Sequence, residues 1–90
     1  MTIERNSVHF RILERLCTMP RAVRGISGAM LERRFNAGWA IDELAAAGLI
    51  IQRGWADGPG GVWVPSSRGE ALYHQMIAED EEAVAHRSSH

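Results

Sequence analysis

The chain has 90 residues, with 10 basic residues, all arginine, against 11 acidic ones, for a formal net charge of −1. A chain of this length holds one domain with a small core. Apolar residues make up 46% of it, which excludes a disordered chain of low hydrophobicity. No apolar run reaches the roughly 18 residues of a membrane span and the N-terminus lacks a signal-peptide pattern, so we expect a cytoplasmic protein.

Charge is unevenly distributed along the chain. Residues 1–39 contain seven arginines and three glutamates, a net charge of +4, whereas residues 40–90 contain three arginines and eight acidic residues, a net charge of −5. A basic half can contact the phosphates of a nucleic acid. Arginines on helix surfaces also keep small domains in solution, and the overall charge near zero favours that simpler interpretation.

The first predicted element is an amphipathic helix over residues 6–18. Its apolar stripe consists of Val8, Ile12, Leu13, Leu16 and Cys17. Asn6 or Ser7 is expected to cap its start, and Pro20 to end it. The position of Cys17 in the stripe predicts a buried and inert thiol.

Two short helices are predicted next, after a connector over residues 20–26 in which we expect a short strand. Ser27 is the expected N-cap of the second helix, which presents Met30, Leu31 and Phe35 on one side. Asn36 is expected to end this helix and to cap the third one, over residues 37–47, with its side chain. Gly48 is expected to end the third helix in the left-handed conformation.

A hairpin and a last helix complete the predicted order. The strands are expected over residues 49–55 and 62–64, and symmetric closure of their Gly-rich connection would pair Arg53 with Val64. Ser66 or Ser67 is expected to cap the last helix. The predicted core consists of Ile12, Leu13, Leu16, Leu31, Ile41, Leu44, Leu49 and Leu72. We expect a single domain over residues 1–85 and a disordered tail over residues 86–90.

Two segments carry a resemblance to a known family. Glu43-Leu44 with Gly48-Leu49-Ile50, and the run Ser67 to Leu72, resemble the winged-helix superfamily of DNA-binding domains, most closely its members similar to multiple-antibiotic-resistance regulators. Residues 31–44 are also similar to the winged-helix gamma domain of bacterial DNA translocases. The resemblance covers about residues 8–77. It implies an α+β, mostly helical fold with a winged helix-turn-helix and a two- or three-stranded hairpin wing.

The resemblance also implies that the third helix enters a major groove while the wing touches the backbone or the minor groove. The residues expected to contact DNA on this basis are Arg24, Arg33, Arg34, Asn36, Gly38, Trp39, Ala40 and Arg53. Asp57 stands at the wing tip where the family usually places a cation, and the third helix has no basic side chain.

Two functions remain open from the sequence. The first is a small DNA-binding protein, a transcriptional regulator or accessory factor that contacts double-stranded DNA. The alternative is a module of phage or bacterial origin that docks a protein partner without reading DNA. A continuous basic strip across Arg24, Arg33, Arg34 and the third helix would favour DNA. Exposure of Trp39, or interruption of this strip by Glu32 and Asp57, would favour the protein partner.

Catalysis, a cofactor and a metal site are not expected. The sequence contains no catalytic constellation, phosphate loop or cysteine and histidine pattern with zinc-ligand spacing. A homodimer is the predicted assembly, because a lone winged helix makes few DNA contacts. Its expected interface is the apolar cluster Tyr73, Met76 and Ile77 on the last helix, although a small domain can also use such a cluster to cover its own core.

Overall fold

The computed structural model describes residues 2–53 and 62–88. These residues form an α+β domain with four α-helices and a three-stranded antiparallel sheet. In chain order the elements are α1 (Val8–Cys17), a 3₁₀ turn (Arg21–Val23), β1 (Ile26–Ser27), α2 (Gly28–Phe35), α3 (Gly38–Ala46), β2 (Ile50–Arg53), β3 (Val62–Pro65) and α4 (Ser67–Ser88). None of the described helices is long and apolar enough to cross a membrane.

The sheet has the strand order β1-β3-β2, with all pairs antiparallel. Arg53 pairs with Val62, so the predicted pairing of Arg53 with Val64 is wrong by two residues. A shift of two residues keeps every side chain on its predicted face of the sheet. The predicted strand end at Trp55 and the wing-tip Asp57 lie outside the described residues.

Serine side chains cap three of the helices. Ser7 and Ser27 accept hydrogen bonds from the backbone N–H groups of Phe10 and Met30, which confirms both predicted caps. Ser66, rather than Ser67, caps α4, because its Oγ accepts from the Gly69 N–H at 3.0 Å. The same hydroxyl donates to the Gly48 carbonyl at 2.6 Å. Ser66 thereby joins the start of α4 to the end of α3.

The turn between α2 and α3 differs from the prediction at Asn36. This residue has φ 51° and ψ 41°, and its backbone N–H donates to the Glu32 carbonyl at 2.7 Å. Asn36 therefore ends α2 in the left-handed conformation, which asparagine tolerates better than most residues. α3 begins after Ala37 with no side-chain cap, so the predicted capping of α3 by Asn36 is wrong. Gly48, with φ 74°, has the predicted left-handed conformation.

The core lies where the four helices and the sheet meet, with α1 at its centre. All predicted core residues are buried except Leu72, which is half-buried and packs against the others. Phe10, Ile50 and Tyr73 also belong to the core. Met30 was expected on the same side of α2 as Leu31 and Phe35, but it is 63% exposed whereas Leu31 is fully buried. The helix α4 continues to Ser88, three residues past residue 85, the predicted end of the domain.

Candidate functional site

Arg24 is an internal structural residue and not a surface cation. Its side chain is 16% exposed and forms an ion pair with Glu70. Its Nη2 donates to the carbonyls of Cys17 and Met19, each at 2.9 Å. These contacts hold the end of α1 to the first turn of α4. The guanidinium is thus engaged within the domain and is not presented to DNA as expected, because its partners are two backbone carbonyls at and just after the end of α1 and the distant Glu70.

Ala40 is also unable to contact a ligand, because it is fully buried. The residues of α3 that point inward are Ala40, Ile41 and Leu44, preceded by the buried Ala37. These positions have the helical spacing i, i+3, i+4 and i+7, which places them on one face. The prediction that Ala40 faces bases is therefore wrong.

The exposed side of α3 carries one aromatic residue and two carboxylates. Trp39 is 56% exposed, and Asp42 and Glu43 are exposed at positions i+3 and i+4 from it, so the three residues form one stripe. We call this stripe the α3 face. No basic residue is present between Gly38 and Ala46. The α3 face is therefore acidic and aromatic at the place where the sequence resemblance implies base contacts.

His9 of α1 holds the α3 face in position, a role that sequence reasoning missed. Its Nε2 lies 3.1 Å from Oε2 of Glu43. Its ring meets the Trp39 ring edge-to-face, with centroids 5.3 Å apart. The His9 side chain is only 14% exposed. A separation of 34 residues between His9 and Glu43 gives no local signal for this contact.

A groove of about 490 Å³ opens beside Trp39, between α2, α3 and β3. We call it the tryptophan groove, because Trp39 and Trp63 line it. Glu32 and Asp42 add carboxylates to its walls. A methyl group built at Gly38 would lie 3.5 Å from Oε1 of Glu32, so this carboxylate sits directly beside the start of α3. The basic strip expected along α2 and α3 is therefore interrupted at Glu32.

Arg33 and Arg34 are exposed on a different side of α2 from Glu32. They line a second groove, between α1, β1 and α2, together with Arg15 and apolar side chains. Arg34 also lines a cleft with Arg11. Among the described residues, these four arginines form no ion pair. The exposed cations of α1 and α2 are thus concentrated in these two grooves and not on the α3 face.

The remaining predicted contact residues have mixed positions. Asn36 and Arg53 are exposed, at the α2–α3 turn and at the end of β2, and Gly38 is half-buried.

Tyr73, the first residue of the predicted dimer cluster, is 8% exposed, and its ring stacks on Phe10 with centroids 5.7 Å apart. Its predicted outward position in a dimer interface is therefore wrong.

The other two residues of the predicted dimer cluster also pack against the core of the domain. Met76 and Ile77 are half-buried and pack partly against the core. Burial raises the pKa of the Tyr73 hydroxyl, with a smaller contribution from Glu14. The apolar face of α4 thus serves mainly to cover the domain's own interior.

Cys17 is buried, as predicted. Burial raises the pKa of its thiol to about 11, the nearby Glu70 carboxylate adds to the rise, and the Arg24 guanidinium partly offsets it. At neutral pH the thiol is protonated and a poor nucleophile. Within the described part of the chain, no three histidine, cysteine or acidic side chains are grouped as a metal site would require.

No protein-family model matches the chain, and no curated protein matches it significantly. A functional assignment therefore depends on the geometry and electrostatics of the chain itself.

Proposed function

We propose that this chain is a winged-helix module that docks a partner protein through the α3 face and the tryptophan groove. The observation that carries the proposal is the exposed Trp39, which stands on an acidic stripe with no cation in its helix. The winged-helix architecture is supported by the order of the elements, with two short helices preceding a two-stranded hairpin, and by the strand order β1-β3-β2.

Electrostatics disfavour DNA as the ligand of α3. A helix in a major groove lies between two rows of phosphates and reads base edges chiefly with arginine, lysine, asparagine or glutamine. α3 has none of these side chains, and its exposed side carries the carboxylates of Asp42 and Glu43, which have the same sign of charge as phosphate. Two of the residues expected to help, Arg24 and Ala40, are engaged in the interior.

The chemistry of the groove indicates the kind of partner. Two tryptophans provide apolar walls, and tryptophan is among the residues that contribute most to protein interfaces. Glu32 and Asp42 attract cations at the rim, where a tryptophan ring can also hold one over its face. The expected partner segment therefore presents an apolar side chain flanked by lysine or arginine.

DNA binding is the second candidate function. It is favoured by the same order of elements and by the exposed Arg33, Arg34 and Arg53, which are available for phosphate contacts. This candidate requires affinity that falls steeply with salt, with a log–log slope that flattens by about 0.9 for each phosphate contact removed.

A peptide-display selection, together with a parallel DNA titration, tests protein docking against DNA binding. Random peptides are selected on the wild-type protein, and the binders are measured against Trp39→Ala. Loss of a central tryptophan anchor costs at least about 2 kcal/mol, so we expect about 30-fold weaker binding. Val23→Ala is the matched control, because Val23 is similarly exposed, at 64%, and lies outside the groove.

Enrichment of peptides with an apolar residue between cations, and their dependence on Trp39, would support docking at the α3 face. Binders that are insensitive to Trp39→Ala would contradict it. In parallel, mixed-sequence duplex DNA is titrated across salt concentrations with the wild type and with Trp39→Ala. DNA binding near physiological salt that weakens in Trp39→Ala would establish the second candidate instead.

A further inference from the structure

One face of α2 carries an exposed methionine beside two arginines. Met30, Arg33 and Arg34 stand at positions i, i+3 and i+4, so their side chains leave the helix in one direction. Met30 is 63% exposed, and all three residues line the groove between α1, β1 and α2. We call this surface the basic stripe. The proposed docking at the α3 face does not use it.

α4 carries a stripe of the same spacing and opposite charge. Met76, Glu79 and Asp80 also stand at positions i, i+3 and i+4. They line a groove of about 360 Å³ together with Ile3 and Arg5. Met76 is half-buried on its floor, and the two carboxylates are exposed at its rim. We call this surface the acidic stripe.

The two stripes are complementary in charge. The basic stripe presents an exposed thioether with a pair of cations, and the acidic stripe presents a half-buried thioether with a pair of carboxylates at the same helical spacing. One of these carboxylates, Asp80, also lies 3.7 Å from Nη2 of Arg5 in its own copy, in an exposed pair that an incoming arginine can join or replace. A helix pair with this pattern can pack Met30 against Met76 while the charges meet beside them. Methionine is well suited to such a contact because its side chain is flexible and polarizable.

The contact cannot form within one copy of the chain. α4 packs on α1 and β3, whereas α2 packs on α1, α3 and β1. The acidic stripe also lies beside Ile3 and Arg5 in the N-terminal segment, in a different groove from the one the basic stripe lines. The complementary partner present in this protein is therefore the α4 of another copy.

We propose that the basic stripe of one copy docks on the acidic stripe of a second copy. Two copies that dock reciprocally, each basic stripe on the other copy's acidic stripe, form a closed dimer. If only one such contact forms, one stripe of each copy stays unoccupied and can bind a further copy. The inference is independent of the proposed function. Its acidic stripe shares Met76 with the predicted dimer cluster but does not use Tyr73 or Ile77. Because exposed charge pairs are screened, the association weakens with rising salt.

A charge-swap experiment with the full chain tests this proposal. The variant Arg33→Glu with Arg34→Glu has two acidic stripes, and the variant Glu79→Arg with Asp80→Arg has two basic ones. Sedimentation equilibrium at low salt measures the mass of each variant, of the wild type and of an equimolar mixture. Circular dichroism confirms that each variant is folded. The control is Arg53→Glu with Arg68→Glu, which makes the same charge change at exposed positions outside both stripes.

We expect the wild type to exceed the 10.0 kDa of one copy, and to return to that mass at high salt. Each stripe variant alone stays a monomer, their mixture associates again, and the control behaves as the wild type. Met30→Ser weakens the association at least tenfold without changing any charge.

Three results would overturn the proposal: a wild type that is monomeric at millimolar concentration and low salt, self-association that survives Glu79→Arg with Asp80→Arg, or a mixture that stays monomeric. Loss of self-association in Trp39→Ala, with the acidic stripe dispensable, would place the basic stripe in the tryptophan groove of the second copy instead. That result would leave the proposed docking at the α3 face intact.

Discussion

Replacement of Arg24 by methionine tests whether this residue is structural, as its contacts indicate, or a ligand contact, as the sequence resemblance implies. Arg24→Met keeps most of the apolar stem but removes the guanidinium. The carbonyls of Cys17 and Met19 then lose their donor, and Glu70 loses its ion-pair partner. We expect a large loss of stability because these groups are only partly exposed.

The magnitude follows from the individual contacts. A hydrogen bond that involves a charged group contributes about 1.5–3 kcal/mol. Breaking a fully buried ion pair costs about 3–5 kcal/mol. The Arg24 and Glu70 side chains are 16% and 28% exposed, which lowers the cost of the unpaired carboxylate. We therefore expect a loss of about 2–3 kcal/mol, a large fraction of the total stability of a small domain.

Urea denaturation followed by tryptophan fluorescence measures this loss as a lower midpoint with an unchanged slope. Arg24→Lys should rescue little, because an ammonium group cannot bond two carbonyls and a carboxylate in the geometry of the guanidinium fork. Arg33→Met is the matched control and should change stability by less than about 0.5 kcal/mol, since Arg33 is exposed. An Arg24→Met midpoint equal to that of Arg33→Met would refute the structural role.

Three further substitutions or labels probe the packing. Gly69→Ala should destabilise the domain by about 2 kcal/mol or more, because its methyl group would clash with the Leu49 carbonyl oxygen. An unchanged urea midpoint would contradict this close approach, and Gly38→Ala, whose methyl group would meet only ordinary contacts, is the control. Leu44→Ala should cost about 2–5 kcal/mol, measured in the same way, and an unchanged midpoint would remove Leu44 from the core. Cys17, with its pKa raised from 9.0 to about 11, should react with a thiol reagent at pH 8 about a hundredfold more slowly in the native state than in urea, and equal rates would contradict its burial. Because the native pKa is raised, the contribution of this thiol to stability is complete below pH 9 and should be lost as the pH rises toward 11.

Features that depend on neighbouring residues could be predicted from the sequence. The caps at Ser7 and Ser27 and the left-handed Gly48 follow from local hydrogen bonding and backbone sterics. The helical periodicity identified the central core residues of α1, α2 and α3, because each apolar stripe has one inner direction. It did not identify Phe10, Ile50 or Tyr73, which are also buried. The antiparallel hairpin partners β2 and β3 were likewise recognisable from their composition and the turn residues between them.

Features that depend on distant residues could not be predicted in the same way. The residues around Arg24 in the sequence do not distinguish it from an exposed arginine. Only its contacts with the end of α1 and with Glu70 show that it is structural. Tyr73 was expected outward because the sequence does not show which part of the α4 stripe meets Phe10. His9 gave no signal at all, since its partner Glu43 lies 34 residues away. The wing tip lies outside the described residues, so its part in binding stays a prediction.

The most direct test of protein docking at the α3 face is the response of backbone amide resonances to a ligand. ¹⁵N-labelled protein is titrated with a selected Trp39-dependent peptide, with mixed-sequence duplex DNA as the competing ligand. We expect the peptide to shift the amides of Gly38–Ala46 and the Trp39 indole N–H, and the DNA to leave them unchanged at physiological salt. Shifts of the same α3 resonances by duplex DNA, with none caused by the peptide, would contradict protein docking and assign α3 to DNA binding.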